Sequence, residues 1–264
     1  MNKSAFLGGW ARFGILAFFA GALAPRAEAF PSFSPSDLSS LTSGMVDTLV
    51  KTVALASDHR AYMPASSLAA SIGLDLGVEV TGIKTPQAFQ DAMTLAGVTA
   101  TVPSYLALPK LNLHKGLPYG GEVGFSYIGY GDYKVYGADL KWAFLQGGMK
   151  NPLPTMAVRY SQSYSDLFFM KTRISKIDLV ASKSLLGFIE PYFGMGWQRL
   201  SGNLDYTLSG PAGLTAGVTG SVAASGTHFF VGVPFNLFLA RAVFEFDNST
   251  LGAATFGTKV SLNF

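Results

Sequence analysis

The chain has 264 residues, of which 49% are hydrophobic and only 13% are charged. Soluble domains carry about 25% charged residues, so this composition is unusually poor in charge. There is no cysteine, which excludes disulfide bonds. The formal net charge of +3 comes mostly from the first 29 residues. Residues 30–264 are nearly neutral and lack the concentrated basic face of a nucleic-acid-binding protein.

The first 29 residues have the pattern of a secretory signal peptide. Lys3 and Arg12 supply a positive start, and residues 13–23 form an apolar core. Ala27 and Ala29 give the small-x-small pattern of a cleavage site. The apolar core is too short for a spanning helix, which needs about 20 residues. The sequence therefore predicts export through the inner membrane and a mature chain of residues 30–264.

Residues 30–60 are predicted to form an N-terminal amphipathic helix. Residues 34–37 read as a helix cap, with proline at the first helical position. An apolar stripe at spacings of three and four comes next, at Leu38, Leu41, Met45, Leu49 and Val53. Two placements are open for this stripe. The helix could be a plug inside a barrel, or it could lie at the periplasmic leaflet and cap the barrel mouth.

Residues 61–264 are predicted to form an all-β transmembrane barrel of about ten antiparallel strands. Apolar and polar residues alternate repeatedly, as strands with two different faces require. The last segment shows it best, because Phe256, Val260, Leu262 and Phe264 share one face while Lys259 and Asn263 lie on the other. High hydrophobicity without an apolar run long enough for a spanning helix is typical of a barrel surrounded by lipid.

The connections between the predicted strands divide into two groups. Short inner turns are predicted near residues 115–119, 147–154, 186–189 and 236–240. Outer loops are predicted at residues 84–103, 129–133, 162–169, 201–224 and 248–252. Thr85 and Gly97 bracket a second, short helix over residues 86–96, within the first outer loop.

We expect no enzyme site, no metal and no cofactor. The histidines are His59, His114 and His228. His59 follows Asp58 between helix and barrel, where a solvated linker is the expected setting. No acid flanks either of the other two, and no G-x-S-x-G motif is present. The remaining residues show no metal-ligand spacing and no phosphate-binding loop.

The inward face of the predicted barrel carries charges of both signs. A nearly neutral mixture predicts salt-bridge networks more than an ion-selective pore, which would carry one sign in excess. The lumen-facing candidates are Asp75, Glu79, Lys110, His114, Glu122, Asp139, Lys141, Arg159, Lys176, Asp178, Glu190, His228, Arg241, Glu245 and Lys259.

The final residues Phe256, Val260, Leu262 and Phe264 resemble the C-terminal assembly signal of bacterial outer-membrane barrels. Residues 154–159, 182–183 and 191–196 look like segments of a group of uncharacterised small outer-membrane barrel proteins. A helix ahead of a barrel is also similar to the hatch of long-chain fatty-acid transporters, although their Asn-Pro-Ala signature is absent. These resemblances imply an outer-membrane location, with lipid and the barrel-assembly machinery as partners.

Three functions are open at this point. The first is a narrow or plugged conduit for a small molecule, apolar or polar. The second is a structural or surface-interaction barrel that acts through the loops at residues 84–103 and 201–224. The third is a lipid-modifying hydrolase. Nucleic acid is not an expected partner.

Overall fold

The computed structural model describes residues 43–69, 71–95, 104–131, 133–149, 151–167, 170–185, 187–209 and 215–264. The predicted signal peptide, its cleavage site and the predicted helix cap lie outside the described residues. Helix α1 is Ser43–Ser57, helix α2 is Gln87–Leu95, and one 3-10 turn is Pro118–Gly120. Within the described ranges, no helix has the length and apolarity needed to cross a membrane.

Ten strands form in the described part of the chain, and they close into a barrel in which each strand pairs antiparallel with the next. The closing seam joins the first strand to the last. The predicted fold class is therefore confirmed. The strands are β1 Leu74–Lys84, β2 Tyr105–Gly116, β3 Gly121–Tyr130, β4 Tyr133–Leu145, β5 Thr155–Leu167, β6 Met170–Ser182, β7 Tyr192–Ser209, β8 Thr215–Leu237, β9 Ala240–Ser249 and β10 Ala253–Asn263.

The alternation in the sequence becomes the two faces of the barrel wall. On β1, Leu76 and Val78 are 49% and 45% exposed and point outward, while Asp75 and Glu79 are fully buried. The seam keeps this order, because Val78 lies opposite Val260 and Glu79 lies opposite Lys259. The result is an apolar exterior around a polar interior, which is the arrangement of a transmembrane barrel.

The barrel has two different ends. At the end where β1 begins and β10 finishes, called the terminal end here, the connections are residues 117–120, 146–154, 183–191 and 238–239. The opposite end, called the loop end, carries the long β1–β2 connection with α2. The β7–β8 hairpin also projects at the loop end, because β8 pairs with β9 only from His228 onward.

Two predicted outer loops are wrong. Residues 201–224 are largely strand, since β7 and β8 stay paired out to Ser209 and Thr215. Residues 162–169 are also mostly strand, because β5 and β6 pair out to Leu167 and Met170. The physical reason is that a paired ladder satisfies the backbone groups of both segments, and this pairing outweighs the low strand preference of their many glycines.

The lumen is occupied by residues 43–69. Toward the loop end, α1 packs its apolar side chains against the inner wall and against Phe89 of α2. The wall side chains in that cluster include Ile83, Ile174, Leu200 and Leu204. Toward the terminal end, residues 58–69 run among buried charges, and Tyr62 and Ala65 join a smaller apolar cluster with the wall. A wholly apolar layer and a mixed, charge-bearing layer are therefore stacked along the barrel axis.

Candidate functional site

All the lumen-facing candidates from the sequence point into the barrel. Each is at least nine-tenths buried except Glu190, which is half-buried in the β6–β7 turn. Glu190 accepts hydrogen bonds from the hydroxyls of Ser66 and Ser182. The alternation of the strands places these residues, because every second side chain of a closed barrel faces inward.

Close pairs of oppositely charged or hydrogen-bonding side chains line the wall. Between neighbouring strands, Lys110 lies 2.8 Å from Glu79, and Lys259 lies 2.8 Å from Asp75. Further pairs between neighbouring strands are Lys141–Glu122 at 3.1 Å, Arg159–Asp178 at 2.9 Å, His114–Glu122 at 3.2 Å and His228–Asp247 at 3.0 Å. Pairs that skip one strand are Arg241–Asp75 at 3.4 Å, His228–Asp178 at 2.9 Å and His114–Asp139 at 3.9 Å. Such pairing is needed because an isolated buried charge is very costly.

Three consecutive residues that come after α1 extend this network into the middle of the lumen. Asp58 Oδ2 lies 2.6 Å from Lys176 Nζ, and His59 Nε2 lies 2.7 Å from Asp139 Oδ2. Arg60 reaches the opposite wall, where its Nη1 lies 3.4 Å from Asp247 Oδ2 and 3.6 Å from Glu245 Oε1. Residues 58–60, called the charged triplet here, therefore bind several sides of the wall at once.

The wall lysines also hold the backbone of the triplet and of the segment after it. Lys141 Nζ donates to the carbonyl oxygens of Pro64 and Ser66, both at 2.8 Å. Lys110 Nζ donates to the Asp58 carbonyl at 2.5 Å, and Lys176 Nζ to the His59 carbonyl at 2.9 Å. These bonds matter because residues 58–68 have no regular secondary structure to satisfy their carbonyls.

The side chains of the charged triplet lie beside polar or oppositely charged partners. The Asp58 carboxylate accepts hydrogen bonds from the Lys176 ammonium at 2.6 Å and from the Ser163 hydroxyl at 2.9 Å. The His59 ring bonds at Nε2 to the Asp139 carboxylate and at Nδ1 to the Ser126 hydroxyl, both at 2.7 Å.

Inward glycines in the wall make room for the plug, residues 43–69. A Cβ at Gly137 would lie 2.3 Å from the Cβ of His59, and one at Gly257 would lie 1.9 Å from the hydroxyl of Tyr62. A Cβ at Gly202 would lie 2.3 Å from Cγ1 of Val50. The wall and the plug therefore fit each other at side-chain resolution, as tightly packed protein interiors do.

Ser126, His59 and Asp139 have the hydrogen-bonding order of a hydrolase triad. A triad also needs a nucleophile that a substrate can reach and donors for the developing oxyanion. Ser126 is only 3% exposed, with its hydroxyl bonded to the imidazole in the packed interior. We assign the three residues to the fixation of the plug. In the part of the chain that the structure describes, no group of side chains forms a metal site.

The sequence interpretation missed the charged triplet and Asp247. The expectation of a solvated linker at Asp58 and His59 is wrong, since their exposed fractions are 2% and 1%. A run of three ionisable residues between apolar segments was the available signal. His114 and His228 have no acidic neighbour in the sequence, but other strands supply acidic partners to both. Asp247 could have been found because it lies on the same inward face of β9 as Glu245, two residues earlier.

No protein family matches the chain, and no match appears among curated proteins. Solved structures that resemble it include the N-terminal barrel domain of Pseudomonas aeruginosa OprF, with 12% identity, a TM-score of 0.35 and coverage of 72% of this chain and 97% of that one. Neisserial surface protein A matches with 9% identity, a TM-score of 0.32 and coverage of 74% and 99%. Ail of Yersinia pestis matches with 12% identity, a TM-score of 0.31 and coverage of 76% and 100%.

Proposed function

We propose that this protein is an outer-membrane barrel that conducts a small solute only when residues 58–68 shift out of the lumen. The outer-membrane location is supported by the apolar exterior and by the predicted signal peptide. The observation that carries the conduit proposal is the chemistry of the interface between plug and wall. In this layer ion pairs and lysine-to-carbonyl bonds join the plug to the wall, beside a buried apolar cluster that includes Tyr62 and Ala65 of the plug.

A polar interface of this kind suits a plug that moves. If residues 58–68 shift, the wall they leave behind carries paired charges that water can solvate. An apolar interface would instead expose hydrophobic surface at about 25 cal/mol per Å². The lumen vacated by the plug would therefore be a water-compatible path. With residues 58–68 seated in the lumen, the plug closes that path.

Single-channel conductance of the refolded protein in a planar bilayer tests the proposal. The intact protein should be closed most of the time. Lys176→Met should increase the open fraction, because it leaves Asp58 and the His59 carbonyl without their cation. Lys171→Met is the matched control, since Lys171 lies on the same strand with an exposed side chain and should leave the recording unchanged.

A disulfide lock makes the test specific to the plug. The chain has no cysteine, and Val50 lies against Gly202 on β7, so Val50→Cys with Gly202→Cys can join α1 to the wall. In the Lys176→Met background, the oxidised pair should remove the openings and reduction should restore them, because α1 fills the lumen toward the loop end and must move together with residues 58–68 for the path to open. Silence in every variant would refute a water-filled conduit, and openings that persist in the oxidised pair would refute the plug as its gate.

The second candidate is a surface-interaction barrel that acts through the loop end. The observation in its favour is the β7–β8 hairpin, which continues beyond both neighbouring strands. Residues 215–226 of β8 pair with β7 alone, so among the described strands one edge of this hairpin has no neighbour. Edges of this kind can pair with another chain. The second candidate would be favoured if the protein conducts no current and if shortening this hairpin abolishes binding to its partner.

A further inference from the structure

Helix α1 enters the barrel from the loop end. Its first residue, Ser43, is exposed, and Val46 lies against Gly220 on the projecting part of β8. One turn later, Val50 lies against Gly202 of β7, which pairs with Thr172 near the loop end of β6. The helix is about 22 Å long at 1.5 Å per residue, so it covers much of the barrel height. The start of α1 therefore lies beyond the rim of the loop end.

The chain then continues through the barrel to the terminal end. The charged triplet sits at mid-height, with His59 next to Gly137 of β4. Further on, the Leu68 backbone amide donates to Glu122, the second residue of β3, at 3.1 Å. The carbonyl of Leu68 also lies beside Gly116, the last residue of β2. Residues 43–69 thus run along the lumen from one rim to the other, and β1 begins at the rim where they finish.

The two ends of the barrel identify the sides of the membrane. Barrels of this class keep short turns on the periplasmic side and place longer connections outside. The connections at the terminal end have at most nine residues, whereas the longest connection between strands, that between β1 and β2, has 20 and lies with the projecting hairpin at the loop end. The terminal end, where β10 finishes, is then periplasmic. This step rests on the outer-membrane location proposed above.

We propose that Ser43 lies on the exterior side of the outer membrane and that the chain is threaded through its own barrel from the exterior to the periplasm. A plug inserted from the periplasm would have its N-terminal end at the terminal end instead. In the threaded arrangement the barrel presents the start of α1 to the outside. The β1–β10 seam must then close around a chain that already occupies the lumen, because the rim-to-rim segment carries buried charges and apolar side chains along its length.

Single-cysteine labelling in intact cells tests this topology. Because the sequence has no native cysteine, each variant carries one cysteine at a known position. Each variant is treated with a maleimide that does not cross the outer membrane, before and after the membrane is permeabilised. Three exposed positions are compared: Ser43→Cys at the start of α1, Lys84→Cys at the loop end of β1, and Ser71→Cys at the terminal end. All three lie outside the buried network, so the fold should tolerate them.

The expected result is that Ser43→Cys and Lys84→Cys label equally in intact cells, while Ser71→Cys labels only after permeabilisation. Labelling of Lys84→Cys without Ser43→Cys would overturn the threading and leave the barrel orientation intact. Labelling of Ser71→Cys instead of Lys84→Cys would overturn the orientation. If permeabilisation changes the labelling of neither Lys84→Cys nor Ser71→Cys, the outer-membrane location itself is refuted.

Discussion

Replacing Gly257 by alanine should destabilise the protein through its plug. The added Cβ would lie 1.9 Å from the Tyr62 hydroxyl oxygen and 2.4 Å from its Cε1. Normal contact needs about 3.5 Å, so the ring must move by more than about 1 Å. That movement breaks the 2.7 Å hydrogen bond between Tyr62 and Thr81, both of which are fully buried.

The magnitude combines two separate costs. Overpacking a well-packed site costs about 1–3 kcal/mol, and an orphaned buried hydroxyl pair costs about 1–3 kcal/mol. We therefore expect the free energy of unfolding to fall by about 2–6 kcal/mol. Urea unfolding in lipid vesicles, followed by tryptophan fluorescence, measures it, with Gly82→Ala as the matched control. Gly82 lies on the adjoining strand, and its added Cβ would meet no atom nearer than 3.7 Å.

A double-mutant cycle with Tyr62→Leu identifies the cause. If the alanine acts by displacing the Tyr62 ring, the two substitutions should be strongly non-additive, because the smaller side chain relieves the clash. Equal stability of Gly257→Ala and Gly82→Ala would refute the reasoning. Strict additivity in the cycle would show that the effect of the alanine does not pass through Tyr62.

Three further predictions concern other parts of the molecule. His59→Gln should lower the melting temperature measured in thermal melts, because one amide cannot keep both 2.7 Å hydrogen bonds that the buried ring makes to Ser126 and Asp139. Phe238 is 91% exposed and has a φ of 60°. We expect its ring to lie in lipid, so Phe238→Gly should destabilise the protein in vesicles. A ring in water would instead give a stabilisation of about 1 kcal/mol, because glycine adopts this φ without strain. Ser126→Ala should leave any phospholipid hydrolysis by the purified protein unchanged while weakening the hold on the plug; loss of hydrolysis would instead make Ser126 the nucleophile of an enzyme.

The wall of the barrel was readable from the sequence because it depends on a local rule. Successive side chains of a strand point to opposite faces, so alternating residues such as Leu76, Glu79 and Val260 reveal both the strand and its lipid side. The short helix in the first outer loop was readable for the same reason. The signals at Thr85 and Gly97 that predict this helix are properties of nearby residues, and α2 forms over Gln87–Leu95, within the predicted range.

The extent of the loop-end hairpin could not be read from the sequence. Residues 201–224 carry many Gly, Ser and Thr residues, a composition that loops and strands share. Pairing decided the outcome, since each strand of the hairpin supplies the other with its hydrogen-bond partners. The energy of that pairing belongs to two segments together and is absent from either one alone.

The charged triplet depended wholly on tertiary structure. Asp58, His59 and Arg60 have no regular structure of their own, and the partners of His59 and Asp58 lie on strands 80 and 118 residues away in the chain. By itself the sequence predicted export and determined a charge-poor chain of alternating strands with a polar inner face. Only the closed barrel decided what fills that interior, because a buried charge is tolerable only where the fold brings its opposite within a few ångströms.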